Sequence, residues 1–308
     1  MAETVQSGDR AAVFDRGALR RQRERTAPHL DRYDFLIREV AERLLERLGD
    51  VRRAFSLALE LGCHTGQLAQ VLRERKEIGR LIQSDLSLAM ARRADGLRLV
   101  ADEEALPFGA DTFDLVLSCF SLHWINDLPG TLAQVRYALK PDGLFLAAMP
   151  GGTTLYELRE AVMRAELELD GGAGLRVSPF VDLRDAGSLL QRAGLAMPLV
   201  DVETITVTYE HPLKLMQELR GMGEANALRE RPRRPLRRAT LLRAAEIYHE
   251  LFADARGRIP ATFEVLMLSG WKPAPTQPQP LRRGSGRVNL AEALKVPTGG
   301  PGRPGGEA

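Results

Sequence analysis

Short apolar runs, separated by longer amphipathic stretches, pattern most of this chain. Phe55 to Leu59, Gly79 to Asp85 and Gly96 to Asp102 have strand length. Asp111 to Ser118 reads as a turn and a fully buried fourth strand, and Leu144 to Met149 as a fifth. Between them, Leu68, Ala69, Val71 and Leu72 predict a first crossover helix, Leu88 to Arg93 a second, and Leu132, Val135 and Leu139 another. Ahead of the first strand, Leu36, Ile37, Val40, Leu44, Leu45 and Leu48 recur at helical spacing, with Asp34 placed to cap that helix and Gly49 to stop it. Further on, Gly151 to Arg159 leads into a helix, and Asp182 to Gly194 is amphipathic through Leu183, Leu189 and Leu190. Val200 to Tyr209 alternates as a strand does, Leu213 to Leu219 and Thr240 to Phe252 are helical, and Thr262 to Trp271 is a last strand. Strands alternating with helix-length crossovers predict an α/β fold, a doubly wound and mostly parallel sheet of seven strands with helical additions. The expected domains are an N-terminal helical segment over 1–49, an α/β domain over 50–272, and a disordered Pro/Gly-rich tail over 273–308 with one short helical possibility at Asn289 to Leu294.

The candidate chemistry gathers at one edge of that sheet. The first strand ends in Glu60 and a turn, Gly62-Cys63-His64-Thr65-Gly66, before a helix opens at Gln67. Such a unit turns backbone N–H groups and a helix N-terminus toward a nucleotide-like ligand. The Gly62-x-x-x-Gly66 spacing does not fit the dinucleotide pattern G-x-G-x-x-G. Asp85, at the end of the second strand, is placed to take a ribose hydroxyl, or else to cap the helix at Leu88, which Ser87 could also do. Asp102 ends the third strand, so Glu60, Asp85 and Asp102 share one sheet edge.

Composition narrows the partners more than the chemistry. A net charge of +2, from 43 basic and 41 acidic residues, creates no field that calls for nucleic acid. Arg16 to Arg25 reads as a solvated helix face. Arg229, Arg231, Arg233, Arg234, Arg237 and Arg238 form a basic cluster, either solvated or a docking patch for an acidic protein surface. Two cysteines, Cys63 and Cys119, cannot form a disulfide framework. There is no apolar run of about 18 residues and no charged n-region followed by an apolar h-region, so a cytoplasmic protein without a membrane span is expected.

The segment from Glu60 to Gly66 resembles motif I of the class I S-adenosylmethionine-dependent methyltransferases, acid-x-Gly-x-Gly-x-Gly, with His64 where the middle glycine usually stands. A side chain there narrows the backbone's approach to a ligand. Asp85, Ala101-Asp102, Leu106-Pro107-Phe108, Phe113 to Val116 and Leu139 to Gly143 resemble the later motifs in the same order. With Ser121-Leu122-His123-Trp124-Ile125-Asn126-Asp127-Leu128-Pro129 and the second half added, the chain from about Phe14 to Lys272 resembles the methyltransferase-like assembly factors of respiratory complex I. More loosely it is similar to the malonyl-carrier-protein O-methyltransferases of biotin synthesis. The resemblance implies S-adenosyl-L-methionine held by Glu60, Gly62, Cys63, His64, Gly66, Asp85, Leu86, Asp102 and Glu103. It implies a protein substrate, a complex I iron–sulfur subunit whose arginine is hydroxylated or methylated. Carboxyl O-methylation and a non-catalytic assembly chaperone are the alternatives. His123 is the candidate base and Trp124 a face on which a guanidinium could stack, while Asp127 could pair with that cation or cap the next helix. No metal site is expected, since the five histidines form no H-x-D or H-E-x-x-H arrangement. Oxygen chemistry therefore rests on the resemblance alone.

Overall fold

The computed structural model describes residues 12–278, and within them seven strands form one sheet. They are β1 (Phe55–Leu61), β2 (Ile78–Asp85), β3 (Leu97–Val100), β4 (Phe113–Cys119), β5 (Leu139–Pro150), β6 (Ala196–Tyr209) and β7 (Ile259–Trp271). Their order is β3-β2-β1-β4-β5-β7-β6. β1 to β5 run parallel, and β7 lies antiparallel to both β5 and β6. The helices are α1 (Arg16–Thr26), α2 (Phe35–Gly49), α3 (Gln67–Leu72), α4 (Leu88–Arg93), α5 (Leu128–Ala138), α6 (Tyr156–Asp170), α7 (Leu183–Arg192), α8 (Pro212–Met222) and α9 (Arg238–Phe252). All of these belong to one compact unit that closes at Ala274; of the second unit, only 275–278 is described. The expected tail beyond 278, with its helix at Asn289 to Leu294, lies outside the described residues.

The apolar runs form strands because both sheet faces are covered. Successive residues of β1 point to opposite sides, so Ala58 joins one core and Leu59 and Leu61 the other. The first core is closed by Leu36, Val40 and Leu44 of α2, with Leu158 and Ala161 of α6 and Ala244 and Ile247 of α9. The second is closed by Leu132 and Val135 of α5 and Ala186 and Leu190 of α7. The strand order reverses at β1, which has β2 on one side and β4 on the other. Ligands of open α/β sheets bind in the crevice at such a reversal, beyond the carboxyl ends of the strands.

Several local expectations change. β3 ends at Val100, so Asp102 sits in the following turn, bridged to Ala105. β6 starts at Ala196 rather than Val200, because its pairing with β7 continues past a register shift around Pro198, which has no N–H to give the ladder. Asp34 does not cap α2. Its Oδ2 is already taken by Arg38 Nε (2.8 Å) and Gln67 Nε2 (3.0 Å), so the buried carboxylate ties α2 to the start of α3 instead. Ser87, not Asp85, caps α4, accepting from Met90 N at 3.3 Å.

Asp127 takes the helix-capping role rather than pairing with an incoming cation: its Oδ1 accepts from Gly130 N at 2.9 Å. Asp127→Ala should lower the stability by about 1 kcal/mol. Urea unfolding checks this: the midpoint should fall with the slope unchanged, and an unaltered midpoint would mean that the cap contributes nothing.

Candidate functional site

At the reversal point the chain leaves β1 through a turn that only some residues can make. Gly62 (φ 67°) and Gly66 (φ 91°) are left-handed, as glycine permits. Position 62 could hold nothing larger, because a Cβ there would lie 1.9 Å from Ser121 Oγ. His64 is also left-handed (φ 50°), a conformation that costs an L-residue energy unless its surroundings fix it. They do: its Nε2 lies 3.1 Å from Cys119 O and 3.2 Å from Phe120 O, and carbonyls only accept, so Nε2 carries the proton. Burial, reinforced by the neighbouring Arg23 charge, lowers the pKa of His64 and keeps it neutral. The histidine in the glycine position thus pins the turn to the end of β4. Cys63 N donates to Ser84 O (2.9 Å), and burial holds its free thiol far from ionisation.

Three of the expected acids do meet there, together with two arginines that the sequence pattern placed in solvent. Arg23, from α1, is 2% exposed. Its Nη1 lies 3.2 Å from both Asp85 Oδ2 and Glu103 Oε1, and its Nη2 donates to Ser121 Oγ at 3.0 Å. Arg16, from the same helix, pairs with Asp102 at 2.5 Å and with Glu103. Asp85 also accepts from His64 N (3.1 Å) and Ser87 N (2.7 Å), so one carboxylate fixes the turn and the entry to α4. Burial alone would raise the pKa of Glu103, but Arg23 and Arg16 outweigh it and hold Glu103 ionised. Burial works against the Arg23 charge too, and Asp85 and Glu103 overcome it. Glu60 has no such cation. Burial, then the Asp85 charge, raise its pKa to about 8, and its Oε2 has no hydrogen-bond partner. Leu86 packs, partly buried, against Phe14, Leu19 and Trp124.

A second cluster lies past β4. His123 and Trp124, in the short 3-10 turn Leu122–Trp124, meet Glu224 from the end of α8. Glu224 Oε2 accepts from Trp124 Nε1 (3.0 Å) and lies 2.8 Å from His123 Nε2, which donates to it. Burial would raise the pKa of Glu224, but His123 overrides it and keeps the carboxylate charged. The end of α8 sets this position: Gly223 (φ 87°) donates to Arg220 O and Glu224 N to Leu219 O, a left-handed helix stop that fixes the residue after the glycine. Glu224 and Trp124 line a cavity whose other walls include Phe120, Leu155, Val177 and Phe180. Ser178 Oγ, also on its wall, is buried without a partner. Trp124 is 2% exposed and held edge-on by Phe14 (5.3 Å), so the open stacking face expected of it is not present.

Sequence reading missed Arg16, Arg23 and Glu224 as site residues. The usable signal was spacing: Arg16, Leu19 and Arg23 repeat at i, i+3, i+7, which puts both arginines on the face of α1 that carries buried Leu19. The basic cluster is smaller than it reads. Arg231 pairs with Asp15 (3.0 Å) and Arg237 with Asp170, while Arg233, Arg234 and Arg238 are exposed. Among the described residues, no group of three His, Cys, Asp or Glu could hold a metal ion, and no helix is long and apolar enough to cross a membrane.

Residues 59–147 match the methyltransferase domain family. Over 92% of the chain, the sequence is 44% identical to the Danio rerio "Arginine-hydroxylase NDUFAF5, mitochondrial", covering 90% of that protein. The Homo sapiens protein of the same name is 42% identical over 92% of the chain and 84% of its own length. A malonyl-[acyl-carrier protein] O-methyltransferase of Methylovorus sp. (strain MP688) is 33% identical over 85% of the chain and 91% of its length. Among solved structures, a Haemonchus contortus phosphoethanolamine N-methyltransferase 2 in complex with S-adenosyl-L-methionine superposes with a TM-score of 0.52 at 16% identity, covering 83% of this chain and 60% of that one. That neighbour holds S-adenosylmethionine on the same fold. The cytoplasmic expectation is corrected by the first two relatives, whose names place them in mitochondria. Composition and the absence of a secretory pattern could not separate one non-secretory compartment from another.

The pKa of Glu60 generates a pH prediction. The unfolded carboxyl releases its proton near 4.5, whereas the folded one keeps it to about 8. The fold binds the extra proton across that window, so the Glu60 contribution to stability is complete below 4.5 and declines as pH rises toward 8. Glu60→Gln, which mimics the protonated acid, should gain on wild type as pH rises from about 5 to about 8. Unfolding free energies measured across that range check it; a constant difference between the two proteins would mean that Glu60 is not held protonated.

Proposed function

From the premise that the chain belongs to the family of the arginine-hydroxylase NDUFAF5 proteins, built on a methyltransferase fold, we propose that it modifies an arginine side chain of a respiratory complex I subunit, with S-adenosylmethionine bound at the β1 turn. The observation that carries this reading is Glu224, an ionised carboxylate on the wall of an apolar cavity. An arginine has the matching chemistry: a methylene stem for the apolar walls and a guanidinium for the carboxylate. Glu224 Oε2 is fixed by His123 and Trp124, which leaves Oε1 to receive the cation. His123 and Trp124 act here as positioning residues for Glu224.

The β1 turn fits the cofactor chemically. Left-handed Gly62 and Gly66 form the tight turn, Asp85 and Glu103 supply carboxylates, and the partnerless Glu60 Oε2 is a buried polar atom with capacity to spare. When bound, the cofactor carries an activated methyl group on a sulfonium. The work of the protein is then alignment and exclusion of water. Phe120 and Phe180 give the cavity apolar walls, and Glu224 orients the guanidinium. Hydroxylation is the reaction that the names of the NDUFAF5 relatives favour; it inserts an oxygen atom, so it would need dioxygen and an electron donor as co-reactants, which the methyl sulfonium does not supply. Carboxyl O-methylation is the second reading, favoured by the malonyl-carrier-protein relative. A carboxylate substrate would meet the like charge of Glu224, which disfavours it.

Mass spectrometry of complex I subunits co-expressed with and without this protein tests the proposal. One added oxygen on an arginine is expected, and one added methyl group there would change the reaction while keeping the substrate. An unmodified arginine would favour the assembly-chaperone reading. Glu224→Gln should lower the modification rate on the order of 10- to 100-fold, the loss of a charge-assisted hydrogen bond. A wild-type rate in that variant would remove Glu224 from the substrate site.

A further inference from the structure

We propose that Arg23 binds the carboxylate at the amino-acid end of the cofactor, exchanging Asp85 for it as the cofactor enters. The inference rests on the reading of the β1 turn as an S-adenosylmethionine site. It starts from a conflict in the structure. Asp85 is the acid placed for the ribose hydroxyls, yet its Oδ2 is filled by His64 N and Arg23 Nη1, and its Oδ1, which already accepts from Ser87 N, has room for one more donor where a ribose diol offers two. The two backbone donors belong to the turn and to the entry of α4, so Arg23 is the partner that can leave.

A guanidinium does not shed its proton, and one left in a buried site without an anion is strongly destabilising. Arg23 keeps Glu103 Oε1 at 3.2 Å when it releases Asp85, and Glu103 is further supported by Arg16. What Arg23 loses is its second carboxylate. The cofactor brings one carboxylate of its own, and a planar guanidinium can grip it through two parallel N–H bonds. Exchange therefore returns Asp85 to the ribose and restores the charge balance around Arg23.

The helix that carries Arg23 need not detach for this. α1 is held at its other end by Asp15 Oδ1 accepting from Ala18 N (2.8 Å), by Phe14 N donating to Asn126 Oδ1 (2.7 Å), and by Arg16 on Asp102. None of these contacts involves the Arg23 side chain. Rotation of one long side chain is sufficient, and Ser121 Oγ, which accepts from Arg23 and donates to Glu103 at 3.0 Å, can follow it.

The test is calorimetric and needs no turnover. S-adenosylhomocysteine and methylthioadenosine share the adenosine and the thioether, and only the first carries the amino-acid carboxylate. Both are titrated into wild type, Arg23→Met and Arg23→Lys. Arg23→Met should weaken S-adenosylhomocysteine on the order of 10- to 100-fold while methylthioadenosine binds as to wild type or more tightly. Arg23→Lys, which retains the charge should the methionine variant fail to fold, should preserve part of the preference for the carboxylate-bearing ligand. Equal losses for both ligands would make Arg23 a structural residue and overturn the proposal. Tighter S-adenosylhomocysteine binding in Arg23→Met would also overturn it, since Arg23 would then only obstruct the site. If wild type bound neither ligand, the cofactor reading itself would fall, and this inference with it.

Discussion

A guanidinium buried among carboxylates, at the point where the strand order reverses, is the interaction on which the rest of the site depends. Arg23 lies 3.2 Å from both Asp85 and Glu103 and is the cation that these two buried carboxylates share. Asp85 in turn holds the backbone of His64 and of Ser87, so the turn after β1 and the start of α4 share one anchor. Arg16 extends the network to Asp102 and fastens α1 across the sheet edge. Glu60, a short distance away along β1, lacks a cation and is kept protonated at neutral pH. The crevice thus holds ionised and neutral carboxyls side by side, distinguished by whether an arginine reaches them.

Glu224 plays the corresponding part for the second half of the site. It is charged, fixed through one oxygen, and set at the edge of an apolar cavity. Its place depends on a helix stop at Gly223 and on the 3-10 turn beyond β4, elements from distant parts of the chain. The two clusters are electrostatically linked, since Arg23 and Glu224 lie close enough to shift each other's ionisation. A ligand that changes the partners of Arg23 would therefore be felt at Glu224.

The fold by itself is shared by methyltransferases acting on very different substrates, and the relatives of this chain carry names of two chemistries. What separates the readings is the sign of the charge on the wall of the cavity beside Trp124. A carboxylate there suits a cation, and the surrounding aromatic and aliphatic walls suit its methylene stem.

The sequence by itself determined the architecture. Periodicity marked all seven strands and the helices between them, because burial on one or two faces imprints a local repeat. It also determined the turn at Glu60 to Gly66 and the position of Asp85, since glycine spacing and a strand-end acid are local features. Tertiary structure decided which charges are buried. Arg23 meets Asp85 across 62 residues and His123 meets Glu224 across 101, and no local repeat encodes such pairs. It also decided that Asp34 braces α3 rather than capping α2, and that Trp124 is packed rather than open, because the partner that settles each lies on another element. An arginine in a run of arginines reads as solvated until a fold brings carboxylates to it. Its desolvation is tolerable only where that pairing is made.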